Sequence, residues 1–160
     1  MNQTDRSLIH KLTATTDNYA GLILRVTLGG VLFPHGAQKV FGWFGGPGFI
    51  KEMDHLTHAA GLPAFIAILV ILIEFLGALF LLCGWHTRLT AATVAVLFIG
   101  IILKVHAGMG FFMNWFGNRP AGVEGFEYHL LVIGICAALI ATGSGKYAWD
   151  QHYARLKTNR

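Results

Sequence analysis

A chain of 160 residues that is 54% hydrophobic and only 12% charged, with a mean hydropathy of +0.56 and a formal charge of +4, is too apolar for an ordinary soluble domain, where about a quarter of residues are charged. Its basic residues flank apolar runs and form no stripe interleaved with aromatics, which excludes nucleic acid as a partner. The expected solvent is the lipid bilayer, and the length allows one compact unit.

Residues 1–18 read as a polar tail carrying Arg6 and Lys11. Four apolar runs follow, at about 20–41, 62–82, 89–106 and 126–143, each near the roughly 20 residues that a helix needs to cross the hydrocarbon. The first is already long enough to span and has no A-x-A-like site after it, so it is expected to be a span and not a cleaved signal. All four are continuously apolar, where the strands of a membrane barrel would alternate. The predicted fold is all-α: a four-transmembrane-helix bundle over 19–145, with a short amphipathic interfacial helix between its first and second spans. Gly29 and Gly36, at helical spacing on the first span, let a neighbouring backbone come close.

After Pro47, the residues Phe49, Met53, Leu56 and Ala60 recur at helical spacing and mark the interfacial helix. The second span begins near Pro63, which fits a first helical turn, and carries one charge, Glu74. A tight connection with Arg88 leads to the third span, which ends in Lys104 and His106. The next connection holds Phe111, Phe112, Trp115 and Phe116, an aromatic belt for the interface. The fourth span opens with Glu124, Glu127 and His129, and a basic tail over 146–160 carries Lys146, Arg155, Lys157 and Arg160. The basic excess on the side of the two tails, against Lys51 and Arg119 on the other, predicts a multi-pass membrane protein with both termini cytoplasmic.

Ionisable groups inside spans are costly and usually face a bundle interior or cavity. Threaded through this topology, His35, Lys39, Lys104, His106, Glu127 and His129 fall near the outer ends of their spans, with Glu74 beneath them. The expectation is an outward-facing polar chamber that uses these residues and Glu124 to bind a ligand. Lys39 and Lys104 also lie close enough to the interface to snorkel, whereas His35 and His106 are too short to do so. Arg25, about one turn from the depth of Glu74, is expected to pair with it and pin the first two spans.

Two histidines at one depth could hold a haem axially or part of a metal site, but no H-E-x-x-H, no C-x-x-C-H and no ligand spacing supports either, so haem is disfavoured and no metal site is predicted. Cys83 and Cys136 are far apart in sequence, which argues against a thiol–disulfide relay and reads as packing. No P-loop, dinucleotide fingerprint or nucleophile elbow is present.

The strings VLFPHGAQKVFGWFGGPG, EFLGALFLLCGWHTR, KVHAGMGFF, GVEGFEYHLL and GSGKYAWD, in this order, resemble the DoxX family of small bacterial membrane proteins over nearly the whole chain after Asn18. The resemblance implies His35, Gly36, Lys39, Glu74, Gly84, His106, Glu124 and Asp150 as motif positions. Ala148 stands where the family's closing motif carries a serine. By resemblance the chain is expected to be a subunit or accessory of quinone-linked redox metabolism. His35, His106 and Glu127 would manage protons, a quinone would be the ligand, and redox subunits or a second copy of the chain would be partners. A non-catalytic scaffold or a small-solute transporter is the alternative.

Overall fold

The computed structural model describes residues 15, 17–120 and 122–152, and among these every regular element is helical. Arg6, Lys11, Arg155, Lys157 and Arg160, on which the expected orientation partly rests, lie outside the described residues. Helix α1 (Tyr19–Phe41) starts where the Asn18 side chain accepts a hydrogen bond from Gly21 N at 2.8 Å, and it stops at Gly42 in left-handed conformation (φ 72°), a paired start and stop signal. A 3-10 turn (Trp43–Gly45) leads to the short α2 (Gly48–Asp54), extended by a π turn over His55–Ala59. Helix α3 (Ala64–Cys83) follows Pro63 and ends at left-handed Gly84. Helix α4 (Thr87–Ile101) widens into a π turn over Ile102–His106, and α5 (Glu127–Thr142) closes the set.

The four longer helices pack in a ring in which α1 touches α3 and α5, and α4 touches α3 and α5. Leu28, Leu32, Leu81, Val94, Phe98 and Leu139 fill the centre. In lipid the hydrophobic effect does not drive helices together, so close approach of small residues carries more of the packing. Gly36 lies against α3 so closely that a Cβ there would sit 2.5 Å from Phe75 Cα, and one at Gly29 would sit 2.9 Å from Leu82 Cγ. The two glycines singled out in the sequence thus form the α1–α3 seam.

Three helical stretches, Tyr19–Phe41, Ala64–Cys83 and Thr87–His106, are long and apolar enough to cross a membrane, and the chain is a multi-pass membrane protein. The fourth apolar run differs from the expected 126–143 span: its helix has 16 residues, about 24 Å of rise against the roughly 30 Å of hydrocarbon. Gly143 (φ 82°, ψ −167°) stops it early, and the chain then tucks Ser144 and Gly145 into the bundle. Both described ends lie together at one end of the ring, where Lys146 N donates to Asn18 O at 2.9 Å and Gly145 N to Thr15 Oγ1 at 2.8 Å. We call this the terminal end, and the opposite one, carrying α2 and the 108–126 connection, the loop end.

Two details were not anticipated. Helix α2 leaves Phe49 and Ile50 exposed and buries Glu52, which has a charge partner on α1. Cys136 is core, but Cys83 is exposed, so only the former is packing.

Gly36→Ala is expected to lower stability by about 1–3 kcal/mol through overpacking, whereas Gly30→Ala, with nothing within 4 Å of the new Cβ, leaves stability equal or slightly raised. Thermal unfolding of both variants in the same detergent checks this; equal midpoints would place the seam elsewhere.

Candidate functional site

The centre of the loop-end polar chemistry is Lys39, in the last turn of α1. Its Nζ lies 2.8 Å from Glu74 Oε1 on α3 and 3.5 Å from Glu52 Oε1 on α2, with side-chain exposures of 22%, 6% and 11% for Lys39, Glu74 and Glu52. One ammonium therefore joins three elements. The expected Arg25–Glu74 pair does not form: Glu74 points its paired oxygen toward the loop end, and Arg25 is fully engaged near the terminal end. Glu52 was not among the residues singled out from the sequence, although a signal existed. It lies one turn before Leu56 of the following π turn and so shares the face that docks on the bundle.

The remaining residues expected in one chamber divide into separate groups. His106, carried by the π turn of α4, packs against His129 of α5 with ring centroids 4.4 Å apart and planes tilted by 43°, and its Nδ1 meets Glu124 O at 2.6 Å. Rings in such contact leave no room for a porphyrin plane between them, so the pair does not fit a bis-histidine haem. Glu127 faces the connection instead, accepting from Met113 N at 3.0 Å and from the Trp115 indole at 2.5 Å. The Glu124 carboxylate accepts from Gly122 N at 3.1 Å. His35 is exposed on the flank of α1, 100° around the helix from Gly36, and Lys104 is exposed at the rim of α4. Lys104 and His106 are two residues apart on the π turn, with Lys104 exposed and His106 against α5, so they do not share an inward face.

Between α3 and α4 the bundle opens a groove of about 680 Å³, well within the size range of small-molecule sites. Its walls are aliphatic, including Leu69, Ile73, Val96 and Leu97, and its loop end holds Lys39, Glu52, His55 and Lys104. A second hollow of about 300 Å³ shares Ile73 and Thr93 and continues the same seam toward the terminal end. Val96, 69% exposed, places the groove on the bundle's flank.

Against known families, the model described as DoxX matches residues 20–107, more than half of the chain. The chain belongs to the DoxX family. A curated relative of this DoxX protein, from Bacillus subtilis (strain 168), is named "Putative oxidoreductase CatD"; the two are 33% identical over 138 residues, covering 86% of this chain and 90% of the relative. No solved structure matches.

Two of the expected motif positions, Gly84 and Asp150, lie at the terminal end, around Arg25. Arg25, only 2% exposed, donates from Nε to Ser144 O (3.0 Å), from Nη1 to Leu81 O (3.2 Å) and Leu82 O (2.5 Å), and from Nη2 to Lys146 O and Tyr147 O (both 2.9 Å). Its five N–H groups thus meet five carbonyls, two of them among the last carbonyls of α3, which lack partners in the helix itself. Asp150 caps the start of α4, accepting from His86 N at 2.8 Å and Thr87 N at 3.0 Å. Gly84 allows the closing segment to approach: a Cβ there would sit 2.6 Å from Ala148 Cβ and 3.1 Å from Arg25 Cζ. At the departure from the family motif, Ala148 is thus a packing contact on Gly84.

Arg25→Lys keeps the charge but cannot reach five carbonyls, so it is expected to lower stability by about 2–4 kcal/mol. Thermal unfolding in detergent measures this; a wild-type midpoint would show that the guanidinium is dispensable.

Proposed function

We propose that this DoxX protein binds a membrane quinone in the α3–α4 groove, with the head group at Lys39, as the quinone-binding component of a redox system of the bacterial inner membrane. The observation that carries the reading is the form of the groove: a long aliphatic trough on the flank that ends at a lysine shared by two carboxylates. A quinone combines an apolar tail with carbonyls that require hydrogen-bond donors. An ammonium has three N–H groups; one is given to Glu74 at 2.8 Å while Glu52 pairs at 3.5 Å, which leaves a donor for a carbonyl. Lys104, at the rim, supplies a second donor to the outer part of the ring.

Reduction of the quinone takes two electrons and two protons. The electrons come from a reduced substrate oxidised by a partner redox subunit, and this chain positions the head group and exchanges protons through Glu52 and Glu74. The oxidoreductase in the relative's name supports this reading. A flank opening suits an amphiphile in hydrocarbon better than a water-borne solute, which favours it over transport. His35, exposed away from the groove, has no role in it. The terminal end is cytoplasmic in this reading: the basic tails favour that side, and the meeting of both described ends accords with a fourth crossing made by α5 and its flanking segments.

Titration of the purified full chain with a short-tailed quinone analogue tests the proposal. Binding is expected to weaken about tenfold or more in Lys39→Met, as for loss of a hydrogen bond to a charged group, and equally in Gly100→Phe, which fills the groove while every charged residue stays in place. His35→Ala is expected to bind like wild type. Wild-type affinity in both groove variants would overturn the reading.

A further inference from the structure

The opening between α3 and α4 does not end with the first hollow. The second shares Ile73 and Thr93 with it and closes on Phe80 and His86 near the terminal end. Between the ionic head of this seam and His86, the polar side chains in its lining are Thr90 and Thr93. The Thr93 hydroxyl donates to Leu89 O at 3.0 Å, and that of Thr90 to Trp85 O at 3.5 Å. Both turn back along their own chain and show methyls to the seam. Two glycines make the room. An added Cβ at Gly100 would have nothing within 4 Å, and one at Gly77 would meet first a methyl of Val94 at 3.5 Å and of Thr90 at 3.7 Å. From Ile66 to Phe80 the α3 side of the seam rises about 21 Å, whereas one leaflet supplies only about 15 Å, half of the hydrocarbon core.

We propose that the second hollow is the tail subsite for the ligand whose head group sits at Lys39, and that this ligand carries one polyprenyl chain long enough to cross the bilayer midplane. A phospholipid acyl chain rooted at the loop-end surface reaches only the midplane and leaves the second hollow unfilled. The head of the seam also selects against an anionic lipid. Lys39 and Lys104 are balanced there by Glu52 and Glu74, so it offers hydrogen-bond donors without net positive charge, which suits an uncharged head rich in acceptors. Membrane amphiphiles with such a head and a single chain of that length are polyprenyl compounds. Moving a chain from lipid into an equally apolar seam gains little hydrophobic free energy, so a separate chain occupies the second hollow weakly. A chain already held at its head meets that hollow at a high effective concentration, and the second contact then adds to the first. Thr93, at the junction of the two hollows, is thereby the residue that sets the preference for chain length. Only the chemistry of the head group rests on the quinone reading; the tail subsite requires an uncharged head and a long chain.

The test offers the full chain in lipid nanodiscs a long-tailed and a short-tailed ligand at equal mole fraction in the lipid, and native mass spectrometry counts which is retained on release. Two such pairs are used: quinones of one head group, and polyprenols, whose hydroxyl head is uncharged and is no quinone. The long tail exceeds the length of the seam, and the short one stays within a leaflet. Wild type is expected to retain the long member over the short on the order of tenfold or more. Thr93→Phe, which blocks the junction from the exposed flank, and Leu76→Trp, which fills the second hollow alone, are expected to abolish the preference. Ile23→Phe, on the exposed flank of α1, keeps it. Matching thermal midpoints verify that the variants fold. No retention, equal retention of both lengths in both pairs, or a preference that survives in both seam variants would overturn the inference. A length preference among polyprenols with no retention of either quinone would remove the quinone reading and leave the tail subsite standing; quinone retention without a length preference would do the reverse.

Discussion

A charge inside a lipid-facing bundle must find its partners within the protein, and the three-way contact of Lys39 with Glu74 and Glu52 is where that constraint shapes this molecule most. It ties the last turn of α1 to the middle of α3 and draws α2 down onto the bundle with its carboxylate inward. Arg25 meets the same constraint at the terminal end by a different route. A guanidinium presents a fixed fork of five donors, matched there to backbone carbonyls that the ends of helices leave unsatisfied. The compact ammonium of Lys39, by contrast, pairs with carboxylates and keeps a donor direction to spare. One cation is saturated and structural, and the other retains capacity for a ligand.

That difference explains which parts of the molecule could be read from its sequence. Continuous apolar runs and small residues at helical spacing give the helices and the α1–α3 seam directly, since each reports a local requirement. Depth along a span was also legible: Lys39, His106 and His129 do lie toward the loop end, and His106 does meet His129. Rotation about each helix axis was not. Arg25 and Glu74 differ by about one turn in depth, yet their side chains engage opposite ends of the bundle. His35 lies close in angle to Lys39 but on a flank that no neighbour covers. The partner of Arg25 is a set of carbonyls, which no residue type announces. Glu52 could have been found from its register with Leu56, had the interfacial helix been read for its polar as well as its apolar positions. The early stop of α5 follows from the backbone at Gly143, a requirement set by the packing of the segment after it.

The groove was invisible at the level of sequence because it belongs to the space between α3 and α4, not to either helix. Its aliphatic walls read as ordinary lipid-facing or core positions until the helices are assembled. The π turn at the end of α4 is placed at the groove's polar end, and such turns often mark functional positions in helices. It turns His106 toward α5 while Lys104 stays at the rim, so one short stretch serves both the groove mouth and the histidine pair. Membership of the DoxX family, the oxidoreductase name of a relative and the form of the groove then support the same account: an amphiphile held from the side, its head group beside a lysine and two carboxylates.

The most direct measurement is photo-crosslinking of the full chain in membranes with a quinone analogue carrying a photoreactive ring, followed by peptide mapping of the labelled sites. The account predicts label at the loop-end mouth of the α3–α4 groove, around Leu56, Lys104 and Val105, and its suppression by excess unlabelled quinone. Competable label confined to the exposed flank around His35 or to the 108–126 connection, with none in the groove, would contradict it.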